Sequence, residues 1–114
     1  MRDPKERLHD ILDAIAALER HSDKTKEAFD EDELLQVWFL RHLQIIGEAA
    51  RSIPEDIRAL AHDIPWPKIV GMRNILVHGY FDIDTNMVWD AGTRDVPALK
   101  PVIERLLHTL EKQE

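Results

Sequence analysis

An all-α fold, an antiparallel helical bundle of four main helices with a short extra one, is what this 114-residue sequence predicts. Three observations predict it. Apolar residues recur at three- and four-residue spacing along most of the chain, the periodicity of helices that lay one face on a core. Helix-start signals punctuate that pattern: an acidic cap, with Pro next or Glu three residues on. No stretch keeps the two-residue alternation of a half-buried strand for more than a few positions. With 44% hydrophobic residues the chain has enough apolar material for one core, so residues 1–114 are expected to form one domain.

The first helix is predicted to start at Asp3, with Pro4 next and Glu6 three residues on. Leu8, Ile11, Leu12, Ile15 and Leu18 give it one apolar stripe, which fades near His21-Ser22. Asp30 and Glu33 repeat the start signal, and Leu34, Val37, Trp38, Leu40, Leu43, Ile45 and Ile46 carry a long second helix towards Ile53. That stripe is wider than one face, which predicts packing against both the chain's own core and another subunit. Pro54 ends it and opens a short helix through Leu60-Ala61, because a residue before proline is pushed out of the α region. Ile64-Pro65-Trp66-Pro67 is a tight connection, and Pro67 opens a further helix with Ile69, Val70, Met72, Ile75, Leu76 and Val77, terminated at Gly79. Asp82-Ile83-Asp84-Thr85 reads as a turn and cap before the last helical region, Met87 to Leu110, inside which Pro97 and Pro101 start or kink segments.

Composition excludes several function classes. Without cysteine there is no disulfide framework, thiolate-zinc site, iron–sulfur cluster or cysteine nucleophile. Fifteen Lys and Arg against 22 Asp and Glu leave a net charge of −7, so any contact with RNA or DNA must be local rather than field-driven. The start, Met1-Arg2-Asp3-Pro4-Lys5-Glu6, lacks the apolar run of a signal peptide, and no segment approaches the roughly 20 apolar residues of a membrane span. A cytoplasmic protein without membrane association is expected.

Chemistry concentrates in Met72-Arg73-Asn74-Ile75-Leu76-Val77-His78-Gly79-Tyr80, which sets a fixed cation, an amide, an imidazole and a phenol at the end of one apolar helix. These groups suit phosphodiester chemistry: Arg offers a planar fork to phosphate oxygens, and His moves protons near neutral pH. On an ideal helix Arg73 and His78 stand about 140° apart, so one copy makes an awkward site, whereas a helix ending by Gly79 or a two-fold dimer would let them converge. The structural alternative pairs Arg73 with one of the carboxylates and makes His78 a C-terminal helix cap. Spacing alone leaves both open.

Other candidates read more simply. Glu48, mid-helix beside Gly47, reads as a buried partner that orients Arg73 or pairs with Arg51, and Gly47 itself as a point of close helix approach. The remaining histidines, His9, His21, His42, His62 and His108, have no metal-ligand spacing, so no metal or other cofactor is expected. Asp82 to Asn86 imitates the opening of a calcium loop, but Met87 stands where Gly is needed and Thr93 where Glu is needed. Trp38, Trp66 and Trp89 read as packing residues, and Asp30-Glu31-Asp32-Glu33 as an acidic helix start.

Arg73-Asn74-Ile75-Leu76-Val77-His78-Gly79-Tyr80 resembles the R-x4-H-x-Y signature of HepT-like proteins, the toxin branch of the HEPN superfamily. Asp3-Pro4, Ile45-Ile46-Gly47-Glu48-Ala49, Ile64-Pro65-Trp66 and Val88-Trp89 are similar to the family pattern in the same order, so the resemblance covers nearly the whole chain. It implies a helical bundle that dimerises with the two motif helices close together, and a metal-independent endoribonuclease neutralised by a minimal nucleotidyltransferase (MNT) antitoxin. Carried over, Arg73 stabilises the phosphate in the transition state, and His78 is general acid or base while the ribose 2′-hydroxyl attacks phosphorus. Asn74 orients the phosphate or the His, with Glu48 and Arg51 in support. Tyr80 matches the tyrosine to which the partner transfers AMP in some members, and added phosphate charge beside the cleft would repel RNA. Given the acidic net charge, RNA binding would rest on the paired Arg73 side chains of the dimer, aided by Arg51 or Lys68. A non-catalytic binding subunit of a nucleotidyltransferase complex, or a purely structural dimer module, are the alternatives from other classes.

Overall fold

The structure, a computed structural model, describes residues 3–78 and 84–113, with side chains except those of residues 74–78. These residues form an all-α bundle in which four helices start on side-chain caps. Asp3 accepts a hydrogen bond from the Lys5 amide at 2.8 Å and opens α1, Pro4–Glu19, which buries Leu8, Ile11, Ile15 and Leu18. The start expected at Asp30 is not one. Asp30 lies inside a six-residue helix, α2, Lys26–Glu31, where it pairs with Lys26 at 2.7 Å. The cap of the long helix α3, Glu33–Arg51, is Asp32, whose carboxylate accepts from the Leu35 amide at 3.1 Å. Asp32 has the extended backbone a cap requires, φ −116° and ψ 95°, which a residue within α2 does not.

Past Ile53, a short helix α4, Glu55–Arg58, continues into a 3-10 turn at Ala59–Ala61. The motif helix α5 spans Trp66–His78, with Pro67 in its first turn; its expected terminator, Gly79, lies outside the described residues. So do Asp82 and Ile83, but Asp84 accepts from the Met87 amide at 3.1 Å and opens α6, Thr85–Asp90. A π-helical turn, Ala91–Asp95, joins α6 to α7, Val96–Lys112. Pro97 has no N–H to give the carbonyl of Thr93, and the widened turn lies there.

Helix α3 is the centre of the bundle, packed on α1 and α5, while α7 lies on α1. Trp38 Nε1 donates to the Ala17 carbonyl at 3.0 Å, joining the start of α3 to the end of α1. Arg7, at the opposite end of α1, faces the same depression as Glu48 near the end of α3, so the two helices are antiparallel. Lys100 of α7 pairs with Glu19 at 3.0 Å. Leu8, Ile11, Ile15, Phe29, Phe39, Leu43, Ile46, Ile69 and Ile103 form the centre of the core. At one end Phe39 lies 4.9 Å from the Phe29 ring and 6.1 Å from the Trp89 ring. The wide stripe of α3 divides: Leu35, Phe39, Leu43 and Ile46 are buried, whereas Leu34 is 83% exposed and Val37 is exposed as well.

Candidate active site on the α3–α5 seam

Buried Ile69 and Met72 hold α5 against α3, and Gly47 lets the two backbones meet. A Cβ on Gly47 would lie 2.9 Å from the Arg73 amide nitrogen and 3.3 Å from the Ile69 carbonyl oxygen. Glycine in a helix interior costs about 1 kcal/mol relative to alanine, and this close approach is the reason it is there. The next residue, Glu48, then stands beside Arg73, and its carboxylate Oε1 pairs with Arg73 Nε.

The pair is not buried, contrary to the expectation for Glu48: Arg73 is 37% and Glu48 45% exposed. Two half-exposed charges gain little net stability, at most about 1 kcal/mol. What the contact does is hold, through its Nε, a half-exposed guanidinium, a group whose planar fork suits an anion.

Of the two arginines considered as partners for Glu48, Arg51 is exposed at the end of α3 and forms no ion pair among the described residues. Lys68 pairs with Asp95 at 3.2 Å. Asn74 and His78 share helix α5 with Arg73, while their side chains and the whole of Tyr80 lie outside the described residues. Because α5 runs through His78, the backbone positions of Arg73 and His78 are about 140° apart around one helix. Among the described residues no three His, Asp or Glu side chains gather in a way that would hold a metal ion. No helix among them is long and apolar enough to cross a membrane.

Two residues that the sequence did not single out, Arg7 and Arg41, line a depression shared with Glu48. The helical register contains a signal for Arg41, since seven residues return to nearly the same face as Glu48. Nothing in the local sequence places Arg7 there.

Comparison with known proteins gives the family. Residues 11–106 match the family described as Ribonuclease HepT-like. "Probable ribonuclease HepT" from Thermococcus cleftensis is 38% identical over 109 residues, covering 92% of this chain and 96% of the relative. "Putative RNase MJ1380" from Methanocaldococcus jannaschii is 39% identical over 104 residues, covering 90% of this chain and 95% of the relative. "Gamma-glutamylcyclotransferase and putative RNase MJ0434", from the same organism, is 34% identical over 114 residues. That match covers 99% of this chain and 51% of the relative, so the chain spans about half its length. No solved structure matches. The chain belongs to the HepT-like ribonuclease family, an enzyme family, as the motif resemblance implied.

Proposed function

We propose that this protein is a metal-independent endoribonuclease toxin that works as a homodimer in the cytoplasm and is neutralised by an MNT-type nucleotidyltransferase. Residues 1–114 act as one HepT-like domain. The observation that carries the reading is the Arg73 guanidinium, held at the surface by Glu48 on the helix that also bears Asn74 and His78. Arg73 binds the scissile phosphate and offsets the charge that grows on its oxygens. His78 of one subunit takes the proton of the ribose 2′-hydroxyl as that oxygen attacks phosphorus. His78 of the other protonates the departing 5′-oxygen. The P–O2′ bond forms, the P–O5′ bond breaks, and the products are a cyclic phosphate and a 5′-hydroxyl. Asn74 orients the phosphate, and Arg51 supplies a further cation. The two-fold arrangement is supported by the angular separation of Arg73 and His78, which one helix alone does not overcome. AMP transfer to Tyr80 silences the enzyme by adding charge and bulk at the cleft.

The test is cleavage of an end-labelled RNA by purified protein in EDTA, with His78→Ala in parallel and the 3′ ends of the products analysed. Cleavage by the wild type alone, leaving cyclic phosphate ends, is expected. No cleavage from folded, unmodified protein would overturn the toxin reading in favour of a non-catalytic subunit that binds the nucleotidyltransferase.

A further inference from the structure

Between α1 and α3 the surface sinks into a depression of about 260 Å³, lined by Arg7 and Asp10 from α1 and by Arg41, Gln44, Ile45 and Glu48 from α3. Glu48 forms part of its wall and at the same time holds Arg73, so the depression adjoins the candidate active site through Glu48. The charges in the depression are two arginines and two carboxylates on one concave surface. Lys26, Lys68, Lys100, Arg73 and Arg105 each meet a carboxylate, whereas Arg20, Arg51, Arg58 and Arg94 form no ion pair among the described residues. Arg7 and Arg41 form no ion pair among the described residues, although they line one depression. Its two carboxylates are not spare counterions: Glu48 is taken by Arg73, and Asp10 is not free. Two guanidinium groups on one concave surface repel each other unless an anion sits between or along them.

We propose that Arg7 and Arg41 form a phosphate track that holds the RNA backbone next to the cleaved bond, an inference that rests on the ribonuclease reading above. The register of α3 sets the ligand class. Arg41 precedes Glu48 by seven residues, which is the same face about 10.5 Å further along the helix axis. A ligand that meets both Arg41 and Arg73, beside Glu48, carries more than one anionic group along its length, as a nucleic-acid backbone does. Gln44, between the two on the same surface, supplies an amide that donates to a sugar or phosphate oxygen and accepts from a 2′-hydroxyl. A local pair of cations also reconciles RNA binding with a net charge of −7, because the contact is made where the acids are already engaged.

The test uses a fluorescein-labelled, fully 2′-O-methylated single-stranded RNA, which lacks the attacking hydroxyl, with anisotropy recorded in EDTA over a salt series. Each of Arg7→Gln and Arg41→Gln is expected to weaken binding about fivefold at 0.1 M salt and to reduce the slope of log K against log salt by about 0.7. The double variant should lose about 1.4 of slope. Arg20→Gln, a change of equal charge at the far end of α1, should leave both unchanged, and Arg7→Lys with Arg41→Lys should keep the slope. In cleavage assays Arg41→Gln should raise KM and retain kcat. If the wild type binds RNA and the double Gln variant keeps its affinity and slope, the track is wrong while the ribonuclease reading stands. The track is equally wrong if the double variant loses binding only to the nucleotidyltransferase. If the wild type does not bind RNA at any salt concentration, both fall.

Discussion

Gly47 and Arg73 meet backbone to side-chain root: a Cβ on Gly47 would lie 3.2 Å from Arg73 Cβ and closer still to its amide nitrogen. The position of the candidate catalytic arginine is therefore set by the absence of a side chain one residue before its carboxylate partner. Gly47→Ala gains about 1 kcal/mol in helix propensity and loses about 1–3 kcal/mol to overpacking. The helix backbone on the other side is not a flexible group that can swing away. Thermal denaturation should show a small net loss of stability, while RNA cleavage falls by more than tenfold because α5 is pushed off the seam. Unchanged cleavage would show that Arg73 does not depend on this approach.

The Glu48–Arg73 pair is half exposed, so removing it should separate positioning from stability. Glu48→Gln is expected to move the denaturation midpoint by an amount equivalent to less than about 1 kcal/mol. In the cleavage assay kcat should drop at least tenfold with KM little changed, since the arginine remains but no longer waits in one orientation. Glu48→Asp should recover part of the rate. Arg73→Lys should not, because an ammonium presents a point charge where a fork is needed. A parallel loss of stability and rate in Glu48→Gln would instead assign Glu48 a structural role.

The helical class, the stripes of α1 and α3, the Pro54 break and the α5 start are legible in the sequence because periodicity and proline act locally. Helix α2 is not, since six residues with Phe29 as their one buried side chain carry no periodicity. Without α2, the start of α3 shifts from Asp32 to Asp30, both of which carry the same carboxylate. At the site, Glu48 and Gly47 stand out as a charge and a glycine inside an apolar helix, but their exposure depends on how α5 crosses. Arg7 joins them only through the antiparallel pairing of α1 with α3, which no local pattern encodes.

Arg58 closes the end of α3 from outside it. Its Nη2 donates to the Ala50 carbonyl at 2.8 Å and to the Arg51 carbonyl at 3.1 Å, and its guanidinium lies 5.8 Å from the Trp66 ring centroid. Trp66 Nε1 in turn donates to the Arg58 carbonyl at 3.2 Å. Hydrogen bonds from a charged donor contribute about 1.5–3 kcal/mol, and truncation removes both, although the Ala50 carbonyl keeps the Ile53 amide at 3.2 Å. Arg58→Ala is expected to lower unfolding free energy by about 2 kcal/mol in urea titrations. Products from the folded fraction should keep the same ends, because Arg58 supports the end of α3 and α5's start rather than the phosphate site.

Gly92 plays towards Phe39 the part that Gly47 plays towards Arg73, but with a different consequence. A Cβ there would lie 2.7 Å from Phe39 Cδ2 and 2.8 Å from Cε2. Phe39 is buried and stacks on Trp89, with an interplanar angle of 9°, and it also touches Phe29. Its aromatic neighbours limit the ring, which also borders a pocket of about 120 Å³ shared with Gly92. Gly92→Ala should destabilise the protein by about 1–3 kcal/mol through overpacking, offset in part by the better helix propensity of alanine. The displaced ring changes the surroundings of Trp89, so its fluorescence and the near-ultraviolet circular dichroism should shift in the native state. RNA binding should persist in the folded protein, since Gly92 lines neither the α3–α5 seam nor the α1–α3 depression. Loss of RNA binding with native stability intact would mean that the aromatic end of the core and the phosphate site move together.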